Sequence, residues 1–266
     1  MNPLTFIQTP DWRSGLIAAG LAALFALPWL VALARGELRR WPLWAAVVAG
    51  AVIFPISIGW VQVPIQQGLN VLWARGLDTA AIQRWLLAVA VPSIAVSGLV
   101  QESAKLLVTA LGLRLRKGER TPRAGLALGA AAGAGFGALE AYWIFNVIFA
   151  SGFTWATVQL TGPVALLGFV ERFITVPFHI AVAALAGYGL AGGRRWRLLP
   201  LLLLLLAAGL HSLANYSAVM LQAGLLGSLG AEVWLAAIAI ATVAAALVLQ
   251  WLPLRPGVET TPPQVT

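Results

Sequence analysis

The chain contains no cysteine, which excludes disulfides, thiolate nucleophiles and cysteine-ligated metals. It has only two histidines, His179 and His211, so these two carry whatever imidazole chemistry exists. Charge is also scarce: Asp, Glu, Lys and Arg make up 10% of the residues, too few for the surface of a soluble protein of this length. Acids are scarcest, nine against seventeen basic residues, and no soluble domain fits anywhere along the chain. The resulting charge of +8 builds no basic helix or groove, because Lys and Arg fall between apolar runs, and nucleic acid is excluded as a partner.

Apolar residues dominate instead, 60% of the chain in long runs of Leu, Ala, Val and Ile. Such runs predict an all-α polytopic transmembrane helix bundle whose surroundings are the lipid bilayer. Spans are expected over 15–34, 43–63, 86–113, 124–149, 164–191, 198–221 and 231–252, about seven in all. Lys and Arg collect on the cytoplasmic side of membrane proteins. Here Arg35, Arg39 and Arg40 follow the first span, Arg114, Arg116, Lys117, Arg120 and Arg123 the third, Arg194, Arg195 and Arg197 the fifth, and Arg255 the last. This alternation places the N-terminus outside and the C-terminus in the cytoplasm.

The first run is full length behind a nearly uncharged leader, and reads as a retained helix rather than a signal peptide. Residues 1–255 are expected to form one transmembrane domain, with 256–266, "PGVETTPPQVT", as a disordered cytoplasmic tail. Positions 64–85 read as an amphipathic segment lying at the outer interface. As a straight helix the third span would reach about 42 Å against a hydrocarbon core of roughly 30 Å. Pro92 and Gly98 therefore predict a kink or a buried re-entrant start there.

Few groups at membrane depth can do chemistry: Gln101, Glu102 and Lys105 in the third span, Glu140 in the fourth, Glu171, Arg172 and His179 in the fifth, His211 and Asn215 in the sixth. Ionisable side chains are expensive there, so each is a functional candidate. Counted from the basic end of its own helix, Glu102 lies 12 residues in, Glu140 17, His179 15 and His211 14. At 1.5 Å per residue these depths are roughly 18 to 25 Å, one level, which predicts a single polar cluster inside the bundle. Glu102 and Lys105, three apart, share a helix face, as do His211 and Asn215, four apart. Gly125, Gly129, Gly133 and Gly137 form a small-residue stripe that lets helices approach closely, and Glu140 continues it.

Plainer readings exist for several of these groups. Glu102 and Lys105 also suit a self-neutralising ion pair, Glu171 and Arg172 suit snorkelling at the outer end of a span, and Trp60, Trp143 and Trp155 suit interface anchors. As chemistry, a sheltered carboxylate can act as general base, and an imidazole with an amide on the next turn can hold water or an oxyanion. Glu140, His179 and His211 are also a possible ligand set for one divalent metal such as zinc. Neither HExxH nor a Ser/His/Asp or Ser/Lys set occurs at membrane depth.

Taken in order, "QESAK", "GFGALE", "ERFITVPFHIAVAALAGYG" and "HSLAN" resemble the PrsW-like intramembrane proteases. These belong to a superfamily with the type II CAAX prenyl endopeptidases and the YhfC-like membrane peptidases. The resemblance implies a protease-like core over 86–221, in a multi-pass protein of the bacterial cytoplasmic membrane. It further implies an endopeptidase, of glutamate type or metal-dependent, that cuts a membrane-anchored protein or peptide, with anti-sigma factors as one kind of target. By position, Glu102, Glu140, His179 and His211 would activate water, Asn215 would stabilise the oxyanion and Lys105 would orient Glu102, with Gln101 and Arg172 in support. Gln101 stands where the family pattern has its first Glu, which leaves a pseudoprotease scaffold as an alternative. A proton- or ion-coupled transporter and a bis-His haem protein on His179 and His211 are the other rivals.

Overall fold

Hydrocarbon offers a peptide group no water to bond, so a segment that crosses a membrane must close its hydrogen bonds within itself, as helix. The computed structural model describes residues 3–116, 120–192 and 197–251, and among them there are helices and turns but no strand. A 3₁₀ turn, Pro3–Ile7, precedes α1 (Trp12–Ala34), whose first turn is capped by Asp11 accepting from the backbone of Arg13 and Ser14. Hydrogen bonds from Ser14 hold the Asp11 carboxyl below the usual carboxylate range. After a second 3₁₀ turn, Arg35–Glu37, come α2 (Trp41–Ser57), a π turn at Ile58–Gln62, α3 (Val63–Gly76) and the short α4 (Thr79–Arg84). Then follow α5 (Leu86–Leu115), α6 (Pro122–Ala150), α7 (Trp155–Thr161), a 3₁₀ turn at Pro163–Leu166, α8 (Leu167–Gly192), α9 (Leu199–Gln222) and α10 (Ser228–Trp251).

Among the described residues seven helical stretches are long and apolar enough to cross a bilayer, so the chain is an all-α multi-pass bundle. Two of them form its centre: 83% of the apolar stretch in α6 and 78% of that in α8 is buried by protein, against 22–28% in the other five. The small residues of α6 explain this, since Ala and Gly let neighbours pack on every side of it. Helices α1, α2, α5, α9 and α10 surround the pair and present Leu, Val and Trp outward.

The segment expected over 64–85 starts as a continuation of the second span, since the helix runs on through the π turn to Gly76. The third span is not broken: α5 passes through Pro92 without interruption. At Gly98 a Cβ would overlap the Ala208 carbonyl and Ser212 Oγ of α9, so glycine there permits the close contact of the two helices. Helix α8 is likewise continuous through Pro177. Trp60 and Trp155 are exposed as anchors would be, whereas Trp143 packs against Phe6 and Phe54.

At the basic end of the bundle Glu37 accepts from Arg116 at 2.9 Å and pairs with Arg40 at 3.2 Å, tying the loop after α1 to the end of α5. Lys117, Arg194, Arg195 and Arg255, together with the expected tail, lie outside the described residues.

Candidate active site

The site starts at the seam between the two central helices. A Cβ at Gly125, Gly129 or Gly133 would overlap the carbonyl of Gly187, Ala183 or His179, so glycine alone lets α6 and α8 touch along their backbones. One turn on, a Cβ at Gly137 would meet that of His179 at 3.1 Å. The next turn delivers Glu140, whose Oε2 lies 2.7 Å from His179 Nε2. That approach is out of line for a hydrogen bond and leaves Glu140 Oε2 buried without a donor.

Helix α5 supplies the second acid. Glu102 and Lys105 are wholly buried, and Lys105 Nζ donates to Glu102 Oε1 at 2.5 Å and to His179 Nδ1 at 3.2 Å. From α9, His211 Nδ1 reaches the same Glu102 oxygen at 2.5 Å. An ammonium only donates and a carboxylate only accepts. The neutral His179 ring therefore carries its proton on Nε2, towards Glu140, and His211 carries one on Nδ1. The two rings sit edge to face with centroids 5.1 Å apart, and Phe178 packs against both. No gap for a porphyrin plane remains between them, which removes the haem reading.

All four predicted residues thus meet. Arg172 joins them, contrary to the snorkelling reading: it is buried, donating through Nη1 to Glu140 Oε1 at 3.0 Å and through Nη2 to Glu171 at 2.5 Å. The guanidinium fixes one oxygen of Glu140 and leaves the other facing His179. Gln101 is turned away from the acids, donating to Gln62 Oε1 at 3.0 Å and Ser97 Oγ at 3.3 Å. Asn215 donates to the same Ser97 hydroxyl at 2.8 Å, which spends one of its two amide protons.

These walls enclose a cavity of about 290 Å³ lined by Glu140, Arg172, Thr175, His179, His211 and Asn215, with Gln62 and Gln66 among the residues completing the wall. The sequence reading missed Thr175, Gln62, Gln66 and Ser97. Thr175 had a legible signal, four residues before His179 and so on its face of α8. Its Oγ1 is buried and has no hydrogen-bond partner among the described residues.

Among the described residues, Glu102, His179 and His211 offer ligand atoms that all lie within 4.8 Å of one another, with Glu102 in place of the Glu140 read from the sequence. Two imidazoles and a carboxylate suit zinc by type. The arrangement does not fit one, however: the Lys105 ammonium already stands against Glu102 Oε1 and His179 Nδ1.

A family model described as PrsW family intramembrane metalloprotease matches residues 38–249. No curated protein and no solved structure matches the chain.

Proposed function

Since the chain belongs to the PrsW family, whose model covers well over half of it, we propose that it is an intramembrane endopeptidase hydrolysing a peptide bond in a membrane-anchored protein. One observation carries the reading. Glu140, His179 and His211, from α6, α8 and α9, line one cavity, and the second acid, Glu102 of α5, is buried behind it against His211, a costly arrangement that packing alone does not call for.

Glu140 is the general base. Arg172 holds its Oε1, and its Oε2, beside His179 Nε2, takes a proton from water as the water oxygen attacks the scissile carbonyl carbon. The carbonyl oxygen becomes an oxyanion, met by the second amide proton of Asn215 and by the Thr175 hydroxyl, whose proton has no acceptor in the resting protein. Collapse of the intermediate breaks the carbon–nitrogen bond. The proton passes from Glu140, beside His179 Nε2, to the departing amine, so the products are a carboxylate and an amine. Glu102, pinned between Lys105 and His211, keeps the His211 ring in place. Gln101 belongs to the amide contacts with Gln62 and touches none of these groups, so its replacement of a Glu leaves the base intact.

The distribution of Lys and Arg supports an outside N-terminus and a site reached from the outer half of a bacterial cytoplasmic membrane.

The test uses purified protein in vesicles with single-span peptides bearing a quenched fluorophore pair. Glu140→Gln and His211→Ala are each expected to lower kcat at least about a hundredfold, as loss of a base or its surroundings does. Cleavage at the wild-type rate by both variants, or none by the wild type on any peptide, would end the proposal. Thr175→Val should reduce kcat about a hundredfold with KM little changed, the size of a lost oxyanion donor, and Thr175→Ser should restore most of it. An unchanged kcat in Thr175→Val removes that residue from the mechanism.

A further inference from the structure

We propose that Lys105 is the resident cation of this site: its ammonium holds the place between Glu102 and His179 that a divalent ion would need, so the folded protein takes up no zinc there. The inference rests on reading the cluster as the water-activating centre, although its test does not depend on cleavage.

Lone pairs give the first argument. A histidine binds metal through an unprotonated ring nitrogen. His179 Nδ1 accepts from Lys105 at 3.2 Å, and its other nitrogen bears the proton facing Glu140. His211 Nδ1 bears a proton directed at Glu102 Oε1. Of the four ring nitrogens only His211 Nε2 keeps a lone pair not already spent, and one neutral nitrogen with one shared carboxylate is short of a structural or catalytic zinc set.

Charge gives the second. Glu102 and Lys105 cancel each other inside a wholly buried pair. Adding a dication would leave the excess positive charge beside an ammonium, out of water and unscreened. Lys105 also has no route to leave by. Its side chain has no solvent exposure, and the Phe136 ring lies across Nζ, 5.0 Å from centroid to nitrogen. A surface lysine swings aside for an incoming ion; this one is walled in.

The consequence is directional. Removing the ammonium opens the place and leaves Glu102 needing a cation, so Lys105→Met should convert the cluster into a metal site made of Glu102, His179 and His211. Wild type, Lys105→Arg, Lys105→Met and Lys105→Met/His211→Ala are purified in detergent, equilibrated with zinc and desalted. Bound zinc is counted by plasma mass spectrometry, and melting is followed with zinc and with EDTA.

Wild type and Lys105→Arg are expected to hold far less than one zinc and to melt alike in both buffers. Lys105→Met should hold about one zinc per chain and melt higher with zinc than with EDTA, as ligand linkage requires. The added His211→Ala should remove both effects. A wild type carrying about one zinc, lost on His211→Ala, overturns the proposal even if Lys105→Met fails to fold. So does a folded Lys105→Met that stays empty, since Lys105 is then not what keeps the metal out. Cleavage by the wild type in 1,10-phenanthroline is recorded separately. Activity unaffected by the chelator agrees with the inference, and activity abolished by it does not. A failure of all peptides to be cut would strike the protease reading while leaving the zinc counts to judge Lys105.

Discussion

Lys105→Met, measured in EDTA, is expected to destabilise the protein by about 3–5 kcal/mol, the usual cost of stripping one partner from a buried ion pair. Glu102 lies beyond the reach of solvent, and its Oε1 takes both Lys105 and His211 while Oε2 has no donor among the described residues. Without the ammonium, the carboxylate must stay charged beside one imidazole or take up a proton, and either change unsettles the packing of α5 against α8 and α9. The double variant Lys105→Met/Glu102→Gln should recover most of the loss, because removing both charges also removes the burial penalty. Denaturant or thermal midpoints of the three proteins in detergent form the comparison. Equal stability of single variant and wild type would mean that Glu102 does not depend on Lys105 for its charge. The double variant should be a poor enzyme, since Glu102→Gln replaces the carboxylate that holds the His211 ring.

Gly133→Val is the second large effect. A side chain at 133 would collide with the His179 carbonyl and with the Ile180 Cα, both backbone atoms with no rotamer to yield. Helices α6 and α8 must then separate, and the displacement falls on His179 itself. Overpacking of a core costs typically 1–3 kcal/mol, and a misplacement of about 1 Å at a catalytic group costs about a hundredfold in rate. Loss of activity should therefore exceed what the lost stability explains: the protein should still insert and melt cooperatively while cleavage falls at least about a hundredfold. Gly20→Ala is the control, because nothing lies within 4 Å of a Cβ there. Inside helix α1 it should stabilise by about 0.5–1 kcal/mol and leave cleavage unchanged. A Gly133→Val enzyme as active as wild type would show that the α6–α8 distance does not set the site.

Much of this was legible in one dimension. Helical rise is constant, so counting residues from the basic end of each span converts sequence into depth, and Glu102, Glu140, His179 and His211 fall on one level. The spacing of Gly125, Gly129 and Gly133 likewise announced a close helix contact, because a four-residue repeat returns to the same face. Rotation about the helix axis and the identity of the facing helix are another matter. Arg172 sits near a span's end, and only the position of Glu140 on α6 decides that its guanidinium turns inward rather than to the headgroups. Gln101 and Glu102 are neighbours in the chain, yet one faces Gln62 and the other the histidines, since adjacent helical residues point about 100° apart. Pro92 and Gly98 suggested a kink or a broken start; α5 is unbroken, and the neighbouring helix α9 uses the space that glycine left.

The sequence alone determined that the chain lives in a bilayer as about seven helices and that its few ionisable groups share a depth. Both follow from local quantities, the hydrophobicity of a run and the rise per residue. Tertiary structure alone decided which of those groups touch: that Lys105 bridges Glu102 to His179, that Thr175 is left without a partner among the described residues, and that Glu102 gathers with both histidines while Glu140 meets His179. Those outcomes depend on how seven cylinders rotate and pack, and no single segment carries that information.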